Sequence, residues 1–490
     1  MGVEGMNAFT VYPRSIVEAA ETVFFLARDD HTGQKWLGVR GDASEFEATA
    51  KTNDTWLCPL SAANAAALRE RLPWLQPVPL GLQMSFGLGD RLGLATPGHV
   101  RAVYGKDIAP IFAQQSVREN TRTGRNPQQV LDEAMWGTFQ EGWREPWGAD
   151  ADHVKNAADF DPFIAAGYTF FTIDPGDHVD NDAQRASAAE LTTKVHTLPW
   201  DILEDTLQDM ERRYLGRSFS LQDTVLVFDR AGLWRAAAKY GRAIAHTVQM
   251  YRYLVERVNQ REGRGFELEI SVDETETPTS PEEHFFVASE LQRLGVRWVS
   301  LAPRFVGRFE KGVDYIGDLG AFEAEFRQHV AVAQALGPYK LSLHSGSDKF
   351  SIYLIIAQCA GGRAHVKTAG TSYLEALRAI ADIAPALFRE ILAFARERYA
   401  TDKATYHVSA DVSKVPIADQ LPDMELASVL DLFDGRQVLH VTFGSVLTER
   451  NADGSYRFRE RLLSALRNKE EQYFALLQAH FAKHLAPFAR

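Results

Sequence analysis

Residues 340–353 have the sequence KLSLHSGSDKFSIY, a short strand-like run that passes through a polar turn into a helical pattern. Leu341 and Leu343 alternate with polar neighbours, which is the period of a β-strand. Residues 345–349 are serine, glycine, aspartate and lysine, a composition typical of a turn. The stretch therefore predicts a strand–loop–helix unit whose loop carries polar side chains.

The same unit recurs along the chain from about residue 79. Strand-like runs alternate with longer helical patterns, as in βα units around a parallel sheet. The eight candidate strands are LGLQMSFGLGD, IAPIFAQQS, WGADADHV, YTFFTIDPGD, FELEISVDE, VRWVSLAP, YKLSLHSG and AHVKTAG. Eight units over roughly 300 residues predict an α/β fold, a (β/α)8 barrel of the TIM type, with a doubly wound sheet as the alternative.

Further segments flank or interrupt this pattern. Residues 1–78 are predicted to form an N-terminal cap or subdomain, with ETVFFLARDD as a strand and SAANAAALRERLPWL as a helix. The barrel domain is predicted to span 79–445, with a polar insertion at 180–230 after its fourth strand. Residues 446–490 are predicted to be a C-terminal helical extension. Two further strand-like runs, TYHVSAD and RQVLHVTFGSVL, compete for a place in the barrel.

Composition argues against several classes of protein. The formal net charge of −12 disfavours a nucleic-acid-binding surface. We expect no membrane span, because no uninterrupted apolar stretch of about 18 residues occurs. We expect no signal peptide, because the first 25 residues lack a basic segment followed by an apolar one. The two cysteines, Cys58 and Cys359, indicate a cytoplasmic chain without a disulfide.

Polar residues gather where the candidate strands end. In a (β/α)8 barrel these ends open at one mouth, where active sites are built. The candidate acid–base residues are Asp177, Asp273 and Glu274, after the fourth and fifth strands. Ser271 and Asp273 share a face by the two-residue period, which leaves Glu274 at the rim. Asp177 and Asp348 could equally serve only as helix caps.

Histidines at strand ends suggest a metal site. His178, His344 and His365 are candidate ligands of a divalent cation such as Zn, Mn or Ni, although a strand histidine can also be a hydrogen-bonded core residue. NAD and ATP are not expected, because GLGDRLG spaces its glycines as GxGxxxG and no Walker A sequence occurs. The candidate substrate-binding residues are the other polar side chains at strand ends: Asp90, Arg91, Gln114, Lys155, Arg304, Ser345, Asp348, Lys349 and Lys367.

Long motifs over most of residues 80–445 resemble the tagaturonate epimerase family. They include SFGLGDRLGLATPGH, FAQQSVREN, WGADADHVK, FTIDPGDHVD, SVDETETPTSPEEH, LAPRFVGRFEKGVDYIGDL, YKLSLHSGSDKFSIY, HVKTAGTSYLEALR and RQVLHVTFGSVL. The resemblance implies a barrel-type, divalent-metal-dependent sugar epimerase. Its substrates would be D-tagaturonate and D-fructuronate, or the neutral ketoses D-tagatose and D-fructose. The implied partner is thus a small-molecule ketose or keto-uronate, and a homo-oligomer is compatible with the sequence.

The implied reaction inverts C4 of a 2-ketose. Because the C4 hydrogen is β to the ketone, simple enolisation does not explain the inversion. Retro-aldol cleavage of C3–C4 is one route, and transient oxidation at C4 by a bound nicotinamide is the other. The first is favoured, because the sequence lacks a nicotinamide-binding fingerprint. That route needs an acid, a base and a metal for the ketone oxygen. It also needs a covered mouth, which the 180–230 insertion or the N-terminal cap would provide. An aldose–ketose isomerase and a non-catalytic sugar-binding barrel are the alternatives.

Overall fold

The chain forms a small antiparallel sheet and then a closed barrel, in a computed structural model that describes residues 8–222, 224–260 and 265–489. Residues 1–7 of the predicted cap lie outside the described residues. The sheet order is β1-β3-β4-β6-β5, with β2 beside β3. Its strands are β1 (Phe9–Val11), β2 (Val17–Ala19), β3 (Thr22–Asp29), β4 (Lys35–Arg40), β5 (Ala50–Thr52) and β6 (Thr55–Pro59).

Eight parallel strands close the barrel in the order β10-β13-β14-β15-β16-β7-β8-β9. All eight candidate strands are confirmed, and closure excludes the doubly wound sheet. The strands are β7 (Ser85–Gly87), β8 (Ala109–Ser116), β9 (Gly148–Val154), β10 (Phe170–Ile173), β13 (Glu267–Val272), β14 (Ser300–Pro303), β15 (Lys340–Leu343) and β16 (Ala364–Lys367), and a separate hairpin pairs β11 (Ser218–Leu221) with β12 (Thr224–Val227).

Helices surround the barrel and extend beyond it. Several begin at the signals that their sequences carry: Asn126 and Gln129 form a capping box, as do Ser280 and Glu283. The helices are α1 (Ala62–Arg71), α2 (Thr96–Val103), α3 (Val117–Thr123), α4 (Pro127–Gln140), α5 (Phe160–Ala166), α6 (Ala188–His196), α7 (Leu207–Tyr214), α8 (Arg230–Asn259), α9 (Pro281–Arg293), α10 (Leu319–Ala335), α11 (Phe350–Cys359), α12 (Thr371–Ile383), α13 (Pro385–Asp402), α14 (Phe433–Val441), α15 (Phe443–Thr448), α16 (Arg459–Asn468) and α17 (Glu470–Leu485).

The segments outside the barrel fit the predicted fold class. The strand ETVFFLARDD is confirmed as β3, and the helix after it in the cap is confirmed as α1. Helices α6 and α7 and the β11–β12 hairpin follow the fourth barrel strand, and α16 and α17 form the C-terminal extension. Two ion pairs hold the cap: the partly buried pair of Lys35 with Glu470 of α17 at 2.9 Å and the buried pair of Arg69 with Asp132 of α4 at 2.7 Å. The domain boundaries at residues 78 and 445 stay predictions.

Two predicted strand-like runs were wrong. TYHVSAD begins at the last residue of a short 3-10 turn, Lys403–Thr405, and continues as a loop that pairs with no strand in the described part of the chain. RQVLHVTFGSVL is helical, in α14 and α15. A short apolar run does not distinguish a buried strand from a buried helix, and the closed barrel leaves no edge for another strand. No helix in the described part of the chain is long and apolar enough to cross a membrane.

Candidate active site

A cavity of about 530 Å³ lies at the carboxyl ends of the barrel strands, which is a typical size for a small-molecule site. The HSGSDK stretch contributes His344 and Ser345 to its wall. The rest of the wall comes from His153 near the end of β9, from Ser342 and Leu343 of β15, from Asp273 and Glu274 after β13, from Arg118 in α3, and from the segments 303–311 and 405–409.

The interior of the barrel below this cavity is polar. Lys367 is only 1% exposed, and its Nζ lies 2.9 Å from Asp150 Oδ2, 2.6 Å from Asp152 Oδ1 and 2.7 Å from Glu269 Oε1. Thr172 Oγ1 accepts a fourth contact at 2.7 Å. Burial alone would lower the pKa of Lys367, but the three carboxylates raise it well above the ordinary value. Lys367 is therefore an ammonium that holds three buried acids in place.

Two histidines face each other above this cluster. His344 Nδ1 lies 3.1 Å from His153 Nε2. The other nitrogen of each ring contacts a carboxylate: His344 Nε2 lies 2.6 Å from Glu269 Oε1, and His153 Nδ1 lies 3.0 Å from Asp174 Oδ2. Carboxylates accept hydrogen bonds, so those outer nitrogens carry the protons. In the neutral rings the two facing nitrogens then both present lone pairs, which cannot hydrogen-bond to each other.

Two facing lone pairs are stabilised by a positive charge near both nitrogens, either a proton or a metal cation. Acid oxygens stand nearby, with Asp152 Oδ1 3.7 Å from His153 Nε2 and Asp273 Oδ1 3.4 Å from His344 Nδ1. The ligand atoms of Asp152, His153 and His344 all lie within 4.8 Å of one another. Histidine ligands usually donate their second N–H to a carboxylate, as both rings do here. The donor set therefore fits a divalent cation.

Without a cation, charge in the cluster is balanced by protons. Burial and Lys367 both act to lower the pKa of His344, but Asp273 and Glu269 outweigh them and raise it to about 10. Burial would raise the pKa of Asp273, but His344 lowers it far below its usual range. The site is thus built to stabilise one additional positive charge beside its carboxylates.

A bulge in β9 brings His153 into this site. Phe171 pairs with Ala151, whereas Ile173 pairs with Val154, so β9 holds one more residue than β10 between these pairs. His153 has a φ of +50°, an uncommon conformation for a residue other than glycine. In a regular strand Asp152 and His153 would point to opposite faces, and the bulge allows both to reach the site.

The predicted acid–base residues lie at different depths. Asp273 and Glu274 line the cavity, whereas Asp177 is not among its lining residues and is exposed. Ser271 donates a hydrogen bond to Asp273, which confirms that the two share a face. Lys155 Nζ lies 2.9 Å from Asp177 Oδ1 and 3.5 Å from Glu274 Oε2, so it links the rim of the fourth strand to that of the fifth.

Of the three predicted metal ligands, only His344 belongs to the facing pair. The ring of His178 stacks on His246 of α8, with centroids 4.0 Å apart. His365 is fully buried deep in the barrel, where its Nδ1 lies 2.9 Å from Ser85 Oγ, and burial lowers its pKa to about 3. The structure does not bring His178 or His365 to the cluster of His344.

Three of the predicted substrate-binding residues approach the site. Arg304 and Ser345 line the cavity, although Arg304 already donates to the carbonyl of Thr275. Gln114 lies beside the histidine cluster, where its Nε2 donates to Asp152 Oδ2 at 3.2 Å.

Four others are buried in contacts that organise loops, outside the cavity lining. Asp90 accepts three backbone N–H bonds at the start of α2, and Arg91 pairs with Glu119 at 2.9 Å. Asp348 pairs with Arg436 at 2.8 Å, and the ammonium of Lys349 donates to three backbone carbonyls. These contacts satisfy the polar atoms of the side chains within the protein.

Sequence reasoning left out several residues of the site. Glu269 is signalled by FELEISVDE, where a polar residue at every second position indicates an inward-facing polar column. His153 has no comparable signal, because its orientation depends on the bulge. Lys311 and Tyr406 line the cavity from loops, where periodicity carries no information.

The cavity wall differs from the predicted cover. Segments 303–311 and 405–409 supply its long loops, and neither the 180–230 insertion nor the N-terminal sheet contributes a described residue to the lining. Cover of the mouth by either segment stays a prediction.

Comparisons with known proteins agree on one family. The family model for tagaturonate epimerase matches residues 12–488. A relative from Thermotoga maritima, described as a tagaturonate/fructuronate epimerase, is 43% identical over 98% of this chain and 97% of its own. The native crystal structure of fructuronate-tagaturonate epimerase from Cohnella laeviribosi superposes with a TM-score of 0.93 at 39% identity, covering 99% of this chain and 97% of that one. A glycerol complex of that enzyme gives 0.92 at 40% identity, covering 98% and 96%. The chain therefore belongs to the tagaturonate epimerase family and is an epimerase, an enzyme of the isomerase class.

Proposed function

We propose that this protein interconverts D-fructuronate and D-tagaturonate by inverting C4, with a divalent cation as cofactor. The family membership supports the substrate pair, since relatives at about 40% identity carry those names. The observation that carries the metal dependence is the pair of facing nitrogens of His153 and His344, 3.1 Å apart and each oriented by a carboxylate on the opposite side of its ring.

His153, His344 and Asp152 are the proposed metal ligands. Their ligand atoms all lie within 4.8 Å of one another, as do those of a second group at the cavity, His153, Asp174 and Glu274. The first group is preferred because it contains both facing nitrogens, while Asp174 and Glu269 contact the outer ring nitrogens. Imidazole nitrogen with carboxylate oxygen suits Zn, Mn or Ni. A cation bound there would supply Lewis-acid polarisation of the substrate ketone.

Asp273 and Glu274 are the proposed acid–base residues, because both line the cavity. One carboxylate takes the proton of the C4 hydroxyl as the C3–C4 bond breaks. The bonding pair moves towards the C2 ketone and leaves an enediolate and an aldehyde fragment. After the aldehyde turns its other face, the bond reforms and the proton returns to the C4 oxygen. Among the described residues, Lys155 is the link between Asp177 and this site, so we assign Asp177 no proton transfer.

The test is a metal-stripped preparation assayed with fructuronate, tagaturonate, fructose and tagatose. We expect no turnover of the uronates without metal, and recovery on addition of Mn²⁺, Ni²⁺ or Zn²⁺. His344→Ala should lose both metal and rate. His178→Ala is the matched variant, because that ring stacks on His246 outside the cavity lining and should leave metal content unchanged. Full activity in a preparation verified to be metal-free would refute the proposed cofactor.

A further inference from the structure

Four cationic side chains line the cavity in addition to its histidines: Arg118, Arg304, Arg308 and Lys311. A cation in a cavity wall either pairs with a protein acceptor or remains available to a bound anion. Sorting the four by their partners therefore shows which of them can recognise a ligand.

Two of the four are already paired. Arg304 donates from its guanidinium to the backbone carbonyl of Thr275. Arg308 Nη1 lies 3.3 Å from Glu310 Oε1. Protein oxygens thus occupy a donor of each, and both contacts stabilise the loop that follows β14.

Arg118 and Lys311 differ from that pair. Within the described part of the chain, neither donates a hydrogen bond nor has a carboxylate oxygen within 4.0 Å of its charged nitrogens. Arg118 lies in the first turn of α3, and its guanidinium carbon is 5.5 Å from the ring centroid of Tyr406. Lys311 projects from the loop after β14 into the same cavity. Two unpaired cations from separate parts of the barrel thus meet at one wall.

The two charges also affect each other. Burial and then the positive charge of Arg118 lower the pKa of Lys311, and the opposing attraction of Asp273, Glu119 and Glu274 does not cancel them. Like charges brought together away from bulk water raise the free energy of the unliganded site. An anion bound between them would remove this repulsion and form charge-assisted hydrogen bonds to both groups.

We propose that Arg118 and Lys311 bind the C6 carboxylate of a keto-uronate and so set the preference for uronates over neutral ketoses. This inference rests on the proposed function, because it assigns the carboxylate end of the substrate whose ketone end lies at His153 and His344. The same cavity then holds complementary groups for both ends of one sugar acid.

The test compares Arg118→Gln and Lys311→Gln with the wild type, each loaded with metal. Each variant should raise KM for D-fructuronate by about 10- to 100-fold, the usual loss for one hydrogen bond to a charged group. The kcat should stay within about threefold, because the carboxylate is bound equally in the ground and transition states. Arg118→Lys should restore part of the loss. Arg308→Gln is the matched control, since its cation is already paired with Glu310.

Two results would overturn the inference. One is an unchanged KM for fructuronate in both Gln variants. The other is an equal loss of kcat/KM for fructuronate and for fructose, which has no carboxylate. A wild-type protein that does not turn over fructuronate would count against the proposed function alone. The carboxylate site would then be judged with D-galacturonate by calorimetry, where equal affinity for wild type and both variants refutes it.

Discussion

Replacing Lys367 with methionine tests whether its ammonium holds the acids below the active site. Three carboxylates lie within 2.9 Å of Lys367 Nζ, and the side chain is 1% exposed. Methionine has a similar volume but no charge. The variant therefore keeps the packing and leaves Asp150, Asp152 and Glu269 buried without their cation.

The expected loss of folding free energy is large, because water does not reach the three buried carboxylates to replace the ammonium. Removing one partner from a buried ion pair typically costs about 3–5 kcal/mol. For 490 residues the entropy of unfolding is about 1 kcal/mol/K, so the melting temperature should fall by about 3–5 °C at pH 8. Glu269 orients His344, so activity should fall as well.

The difference in melting temperature between the wild type and Lys367→Met should become smaller as the pH is lowered. Burial acts to raise the pKa of Asp152 and of Glu269, but Lys367 and nearby histidines lower both pKa values below the ordinary range. In the wild type these groups stabilise the fold above about pH 4, and that stabilisation is lost as the pH falls through their folded pKa values. In the variant both pKa values rise, so acidification protonates these groups sooner, relieves the buried charge and narrows the gap to wild type.

Calorimetry at pH 8 and pH 5 provides the assay, with Lys340→Met as the control. Lys340 is also fully buried, on the preceding strand β15, but its Nζ donates to Ser85 Oγ at 3.0 Å and pairs with no carboxylate of a described residue. Its replacement should cost about 1 kcal/mol, the value of one hydrogen bond. Equal melting-temperature losses for the two variants, or a Lys367→Met deficit that is the same at both pH values, would refute the reasoning.

Three further predictions concern the chemistry and the pH response. Substrate deuterated at C4 should give epimer that retains the label without a primary isotope effect, whereas washout into solvent would show deprotonation at C4. Asp273→Asn should lower turnover by about 10²–10⁴-fold with metal content unchanged, and near-normal turnover would remove Asp273 from the mechanism. Burial lowers the pKa of His329, whose Nδ1 lies 2.9 Å from that of His284, to about 3. Because the unfolded chain binds that proton below about pH 6.5, stability should fall as the pH drops from 6.5 towards 3. The dependence of the unfolding free energy on pH, measured by urea unfolding, should be weaker in His329→Gln.

The barrel could be predicted because its signals are local. Alternating residues mark each strand, and polar turns mark each carboxyl end, as in LSLHSGSD. RQVLHVTFGSVL failed for the same reason, because its apolar residues suit a buried strand or a buried helix and only the closed barrel decides between them. Repeated local patterns therefore predict the architecture, whereas one apolar run by itself does not show whether its segment is a strand or a helix.

The site was predictable only where a side chain follows the strand period. Asp273 and His344 lie near the site because regular alternation continues past β13 and β15. His153 reaches the site because of a bulge in β9, which no residue pattern predicts. His365 shares the inward face of Lys367 but sits two residues earlier, which places it deeper in the barrel, beside Ser85. Depth along a strand and irregular backbone are tertiary properties, so strand-end position alone could not resolve them.

The side chains of the HSGSDK stretch lie on two sides of the loop after β15. His344 and Ser345 face the cavity, whereas Asp348 and Lys349 point away from it. The ammonium of Lys349 donates to the carbonyls of Glu310 and Val313 at 2.8 and 2.5 Å, which fastens the cavity-wall loop 303–311 to the loop that carries His344.

Asp348 extends this support to the C-terminal helix. With a φ of +59°, it forms an ion pair with Arg436 at 2.8 Å and lies 2.7 Å from His480 Nε2 of α17, from which its Oδ1 accepts a hydrogen bond. A retro-aldol route requires that the aldehyde fragment turn without escaping, so the wall must hold its position while the bond is open. The buried half of the stretch supports that wall, which gives a structural reason for polar residues outside the cavity lining to follow directly after a histidine that lines it.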